Sequence, residues 1–170
     1  MVDFEVTDLP ETAHVTAGDE APDFTRPLVG GEFWEDRSFA ALVDEEAPLL
    51  LLTHPMDGAF PTTYVWNALA DHGIVDRLPV VGCSVSTPYE HRNLLADRGV
   101  DARLYSDPAG GVAEAYGVTH DLDGMAGVSE HRLATFVVDE DRVVRHAWVA
   151  SQQPAFPDYE ALTAAVDEVV

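Results

Sequence analysis

The segment that decides the fold is residues 49–72, which read LLLLTHPMDGAFPTTYVWNALADH. The first five residues, Leu49 to Thr53, form a continuous apolar run, which is typical of a strand covered on both faces of its sheet. From Thr62 to His72 the apolar residues recur at helical spacing, which predicts a helix with one buried face. A buried strand that leads into a helix is the repeating unit of an α/β sheet.

The chain on either side continues this alternation. Leu78–Val85 predicts a second buried strand, and Pro88 opens a helix that runs from Tyr89 to Arg98 and ends at Gly99. The other predicted elements are a hairpin that turns at Gly30-Gly31, a short helix 39–43 capped by Ser38, a turn at 105–108, a helix 112–116, a strand pair at 133–138 and 142–148, and a last helix capped by Asp158.

This order of elements is that of the thioredoxin-like α/β fold. It predicts a central mixed sheet flanked by helices, with an N-terminal β-hairpin. Right-handed crossovers predict that helix 62–72 and the last helix lie on opposite faces of the sheet. With 170 residues the chain fits one domain, and we expect an N-terminal arm over residues 1–17 and a single domain over 18–170.

The composition is strongly acidic. Asp and Glu number 31 against 9 basic residues, all of them Arg, for a formal net charge of −22. The acids are spread along the chain, which favours a salt-adapted (halophilic) surface, because molar salt screens their mutual repulsion. Such a surface argues against binding to nucleic acid or to an anionic membrane. The sequence shows no signal-peptide pattern and no apolar run of about 18 residues, so we expect a cytoplasmic protein with no membrane span.

Several segments together resemble one family. They are GDEAPDF (18–24), THP (53–55), VVGCSVS (80–86), YSDP (105–108) with VAEAYGV (112–118), and RLATFVVD (132–139). In order and spacing they are similar to the peroxiredoxins, the alkyl hydroperoxide reductase and thiol-specific antioxidant (redoxin) group, over residues 18–148. The resemblance implies an antioxidant oxidoreductase that reduces peroxides with a cysteine.

The resemblance also implies a catalytic motif, P-x-x-x-T-x-x-C, that this chain lacks. In the family a Cys thiolate attacks the peroxide, and a Thr and an Arg bind the peroxide oxygens. Counting from Pro55, Ala59 takes the Thr position and Thr62 takes the Cys position. A second register, with a two-residue insertion, places Tyr64 at the Cys position instead. Neither register offers a thiol, and Arg132 is the other member of the catalytic group that remains.

We therefore interpret the chain as a degenerate, non-peroxidatic binding or regulatory member of that family. Two alternatives stay open: an antioxidant oxidoreductase that uses Cys83 or a partner thiol, and a non-redox enzyme that uses Arg132, His and hydroxyl groups in the old cleft. Cys83, the single cysteine, lies in the apolar run 78–85 and is expected to be a buried hydrophobe.

The predicted ligand-binding residues are His54, Thr62, Thr63 and Arg132. The first amides of helix 62–72 and the Arg132 guanidinium would together favour a small anion. The His spacings match no metal motif, so neither a metal nor another cofactor is predicted. The expected partners are a small anion or another protein, and a homodimer is one form of the latter.

The first prediction concerns salt. The melting temperature followed by circular dichroism should be lower at about 0.1 M KCl than at about 3 M, because screening of the acidic surface grows with ionic strength. A melting temperature that is equal or higher at low salt would contradict the salt-adapted surface.

Overall fold

The computed structural model describes residues 5–31, 33–121 and 125–170. The helices are α1 (Phe39–Glu46), α2 (Phe60–Asp71), α3 (Pro88–Arg98), α4 (Gly111–Tyr116) and α5 (Tyr159–Val169), with a short 3-10 helix at Ile74–Asp76. The strands are β1 (Thr7–Asp8), β2 (Thr25–Gly30), β3 (Phe33–Ser38), β4 (Leu49–Thr53), β5 (Val80–Ser84), β6 (Arg103–Ser106), β7 (Thr119–His120), β8 (Glu130–His131), β9 (Ala134–Val138), β10 (Val144–Val149) and β11 (Gln152–Gln153).

Seven strands form the central sheet, in the order β10-β9-β4-β5-β6-β2-β3. Strands β4, β5 and β6 are parallel, and the outer pairs on both sides are antiparallel. The predicted mixed sheet flanked by helices and the N-terminal hairpin, here β2 and β3, are therefore confirmed. None of the described helices is long and apolar enough to cross a membrane.

The sheet separates two apolar cores, because alternate residues of each strand face opposite sides. Leu49 and Leu51 of β4 pack with α1 and α4, whereas Leu50 and Leu52 pack with α2, α3 and α5. The prediction that α2 and α5 lie on opposite faces is wrong. The rule behind it applies to crossovers between parallel strands, and α5 instead follows the antiparallel β9–β10 hairpin, which that rule does not constrain.

Two further predictions need correction. Helix α2 begins at Phe60 and not at Thr62, since Pro61 fits the first turn of a helix, where its missing N–H is not needed. The turn predicted at 105–108 overlaps strand β6, whose residues Tyr105 and Ser106 pair with Cys83 and Ser84 of β5. The short run RLYS carries too little apolar periodicity to be recognised as a strand.

Residues 5–17 cross the carboxyl end of the sheet. Strand β1 pairs with β11, and the amide of Leu9 donates to the carbonyl oxygen of Ser151 at 2.9 Å. Further along, the amide of Val15 donates to the carbonyl oxygen of Tyr116 at 3.1 Å. Leu9 and Val15 are buried, one in each core, so this segment is fixed at two points. We call residues 7–15 the arm.

Candidate functional site

The loop between β4 and α2 begins with a buried histidine. His54 is fully buried, and its Nδ1 lies 2.6 Å from the carbonyl oxygen of Pro55, so Nδ1 carries the proton. Its Nε2 has no hydrogen-bond partner in the described part of the chain. Burial lowers the pKa of His54 to about 4, although the nearby Asp57 carboxylate raises it in part. His54 is therefore a neutral ring at ordinary pH.

Thr62 lies in the first turn of α2, beside His54. Its side chain is buried, and its hydroxyl lies 3.0 Å from the carbonyl oxygens of both Pro55 and Met56. The hydroxyl is 3.4 Å from Nδ1 of His54. The hydroxyl is therefore already hydrogen-bonded within the chain, and these bonds hold the loop against the helix.

The other residues predicted for the site near the start of α2 have different surroundings. Ala59 is the residue before α2 and supplies no side-chain cap. Thr63 accepts a hydrogen bond from Arg98 at 3.0 Å. Tyr64 is about half exposed (48%) and packs edge-on against Phe156. The two residues that compete for the Cys position thus differ: Thr62 faces inward and Tyr64 faces outward.

Arg132 is directed away from these residues, toward the arm. Its guanidinium donates to the carbonyl oxygens of Pro10 at 2.7 Å, Ala150 at 3.4 Å and Thr119 at 3.5 Å. The cavity that it lines, about 300 Å³, includes arm residues but none of His54, Thr62 and Thr63. The predicted set is therefore divided between two places, with His54 and Thr62 in contact and Arg132 in a separate cavity.

Sequence reasoning missed a buried acid–histidine pair beside the loop. Oδ2 of Asp57 lies 2.7 Å from Nδ1 of His91, and the Nε2 of that ring lies 2.9 Å from the carbonyl oxygen of Tyr105. Nε2 must donate to the carbonyl oxygen, and one further proton joins Nδ1 to the Asp57 carboxyl group. The amide of Asp57 donates to Ser86 Oγ at 3.0 Å.

A second buried pair lies one strand further along. Asp107 accepts hydrogen bonds from Nε2 of His131 at 2.9 Å and from Nε of Arg26 at 3.0 Å. Its Oδ2 also accepts from the amides of Val112 and Ala113 at the start of α4. Burial would raise the pKa of Asp107, but the bonds from His131 and Arg26 lower it below its ordinary value.

Cys83 adjoins this second pair. Among the described residues, ligand atoms of Cys83, Asp107 and His131 lie within 4.8 Å of one another, and all three residues are buried. The Asp107 oxygens already accept hydrogen bonds from Arg26, His131 and helix amides. These bonds explain the position of the Asp107 carboxylate without a metal ion. Burial, and then the Asp107 carboxylate, raise the pKa of the Cys83 thiol well above its ordinary value. The thiol is therefore protonated and shielded.

The signal for the acidic member of each pair was present in the sequence as strand order. Asp57, Ser86 and Asp107 each follow one of three neighbouring parallel strands, and the carboxyl ends of such strands meet at one edge. His91 and His131 carry no comparable signal, because one lies on helix α3 and the other in the two-residue strand β8, at spacings that match no motif.

The sequence profile of the AhpC/TSA family matches residues 17–147. Alkyl hydroperoxide reductase C of Buchnera aphidicola subsp. Baizongia pistaciae (strain Bp) is 26% identical over 138 residues, which cover 74% of this chain and 66% of that protein. The chain thus spans slightly less than two thirds of that relative's length.

Solved structures show the same fold. Peroxidoxin BcpB from Mycobacterium tuberculosis superposes with a TM-score of 0.72 at 24% identity, over 92% of this chain and 97% of that one. The reduced 2-Cys peroxiredoxin of Plasmodium vivax gives 0.71 at 22% identity, over 91% and 96%. A putative thioredoxin reductase from Burkholderia cenocepacia gives 0.74 at 16% identity, over 89% and 97%.

The second prediction concerns Cys83. A thiol reagent such as Ellman's reagent should label the native protein at least a hundredfold more slowly than the unfolded protein, because the thiol is buried and protonated. Cys83→Ala should keep the circular dichroism spectrum of the native fold. Rapid labelling of the folded chain would instead identify an accessible, activated thiol.

The third prediction concerns acid stability. The unfolded chain protonates His54 near the ordinary histidine pKa of 6.5, whereas the folded chain resists protonation until the pH falls to its lowered pKa of about 4. In that window the unfolded state binds more protons, so stability is lost as pH falls below about 6.5. By linkage, His54 should account for roughly 2 kcal/mol of the stability lost between about pH 7 and pH 5.

The measurement is the unfolding free energy in denaturant at both pH values, for the wild type and for His54→Gln. The matched control is His72→Gln, since His72 stacks on Tyr159 at the far end of α2. The His54 variant should lose less stability on acidification than either of the other two. An equal loss in all three proteins would show that His54 titrates normally.

Proposed function

Because the chain belongs to the AhpC/TSA family, we propose that it is a non-peroxidatic member of that family, which binds a ligand or a partner instead of reducing peroxide with its own thiol. The family's typical activity is thiol-dependent peroxide reduction. That chemistry needs an accessible thiolate at the start of the first long helix after β4.

One observation carries the proposal. In the first turn of α2, the position counted from Pro55 holds Thr62, whose hydroxyl is buried against the carbonyl oxygens of Pro55 and Met56. An alcohol is a far weaker acid than a thiol and a poor nucleophile toward peroxide oxygen. Tyr64, from the second register, offers a phenol and no sulfur.

The alternative of an antioxidant enzyme that uses Cys83 is less well supported. The thiol is fully buried, and the raised pKa keeps it protonated. A peroxide would have to reach the middle strand of the sheet, between two packed cores. The helix N-terminus that stabilises a thiolate in the family's mechanism lies at the edge of the sheet instead.

We further propose that the protein works at high salt in the cytoplasm. The net charge of −22 supports this proposal. A homodimer remains our prediction for its assembly. Exposed aromatic residues on α2 support a contact with another protein, since Phe60 and Tyr64 are each more than 40% exposed and pack edge-on against each other.

The fourth prediction tests the proposal by peroxide consumption. Loss of hydrogen peroxide with dithiothreitol as the reductant, at about 2 M KCl, should match the protein-free rate for the wild type and for Cys83→Ala. An organic hydroperoxide should give the same result, because both peroxides need the same nucleophile.

Either of two outcomes would contradict it. Consumption by the wild type that disappears in Cys83→Ala would establish the buried thiol as the nucleophile. Consumption that persists in Cys83→Ala would require another route to peroxide reduction, because the variant contains no thiol. A thiol peroxidase active at this salt concentration serves as the positive control.

A further inference from the structure

The cavity beside Arg132 is built by the arm and by the segment after β10. It measures about 300 Å³ and is lined by Leu9, Pro10, Glu11, Thr12, His14, Arg132, Val149, Ala150 and Ser151. Of these residues, Arg132 alone lies within the part of the chain that matches the family profile, residues 17–147. The cavity is therefore lined mostly by residues outside the part that matches the profile, and it lies apart from the start of α2.

Arg132 is a buried cation that has no acidic partner among the described residues. Its exposed fraction is 3%, yet its described contacts are with backbone carbonyl oxygens and none is with a carboxylate. Buried charges are normally paired, because removing a charge from water is unfavourable. In a protein with 31 acidic residues, an arginine left without one indicates a place kept for an external anion.

The guanidinium retains donors for such a ligand. Arginine has five N–H groups, and three of them make the described bonds, of which those to Ala150 and Thr119 are long. Two N–H groups remain. The hydroxyl of Ser151 also lines the cavity and makes no hydrogen bond among the described residues. The Pro10 carbonyl makes the shortest contact with the guanidinium, at 2.7 Å, and an anion would compete with it.

The other walls define the size and polarity of the ligand. Leu9, Val149 and Ala150 supply apolar surface, while the single cation matches a single negative charge. Glu11 is exposed and adds a negative charge near the cavity, which disfavours a dianion. We propose that this cavity binds a short-chain monocarboxylate, with the carboxylate on Arg132 and Ser151 and the chain against the apolar wall.

This inference rests on the proposed function and deepens it, since it names a ligand class for a family member proposed not to reduce peroxide with its own thiol. The two can fail separately. Peroxide consumption would overturn the proposed function without bearing on the proposed ligand site. Failure to bind a carboxylate would overturn the ligand site without bearing on the proposed lack of peroxidase activity.

The experiment is an NMR titration of the full chain at a constant ionic strength of about 2 M, with KCl replaced stepwise by potassium butyrate. The Arg132 Nε–H resonance and the amides of Leu9 and Ala150 should shift and saturate. The matched internal control is Arg145, a half-exposed arginine that pairs with Asp139, whose Nε–H should show no saturable shift. Arg132→Gln should weaken binding at least tenfold, and Arg145→Gln should leave it unchanged.

Three outcomes would overturn the proposal. The first is the absence of saturation at Arg132 in the wild type, which decides the matter even if Arg132→Gln does not fold. The second is binding of butan-1-ol as tightly as butyrate, which would indicate an apolar pocket that does not discriminate by charge. The third is saturation by sulfate at lower concentration than butyrate, which would indicate an inorganic dianion site.

Discussion

The carboxylate of Asp107 joins four segments of the chain. It accepts hydrogen bonds from Arg26 on β2, from His131 on β8 and from two amides at the start of α4, and it directly follows β6. The N-terminal hairpin, the central sheet and the chain entering β9 are therefore fixed relative to one another by one buried group. A buried carboxylate is stable only when each oxygen is paired, so loss of any one donor would leave part of its charge without compensation. Burial, and then the same carboxylate, raise the pKa of the Cys83 thiol beside it.

The interior of this acidic protein balances its charges in two ways. Asp57 and Asp107 are each hydrogen-bonded to a buried histidine, His91 or His131, and Asp107 also pairs with Arg26. Arg132 is instead solvated by backbone carbonyls, chiefly that of Pro10. The first arrangement is complete within the fold, whereas the second leaves a positive charge that carbonyl dipoles offset only in part. The buried acids near the central strands are thus paired within the fold, whereas the Arg132 charge at the arm has no acidic partner among the described residues.

The sequence predicted most of the fold but only part of the site. Strand 49–53 and the Ser38, Asp158 and Gly99 caps follow from local rules of burial and capping, which the sequence contains in full. Residues Tyr105 and Ser106 were mistaken for a turn because a four-residue central strand has too short a pattern. The direction of the Arg132 side chain depends on the arm, whose path is set by contacts with residues more than 100 positions away. No local pattern encodes such a contact.

The Thr62 hydroxyl holds the loop between β4 and α2 against the start of the helix. Thiol-dependent peroxide reduction would instead need a side chain that is free to meet the peroxide. Here the hydroxyl lies at hydrogen-bond distance from the carbonyl oxygens of both Pro55 and Met56. A thiol is a weak donor, so a cysteine at this position would satisfy those carbonyls poorly. Thr62 thus has a structural role at this position, because its hydroxyl stabilises the loop before α2.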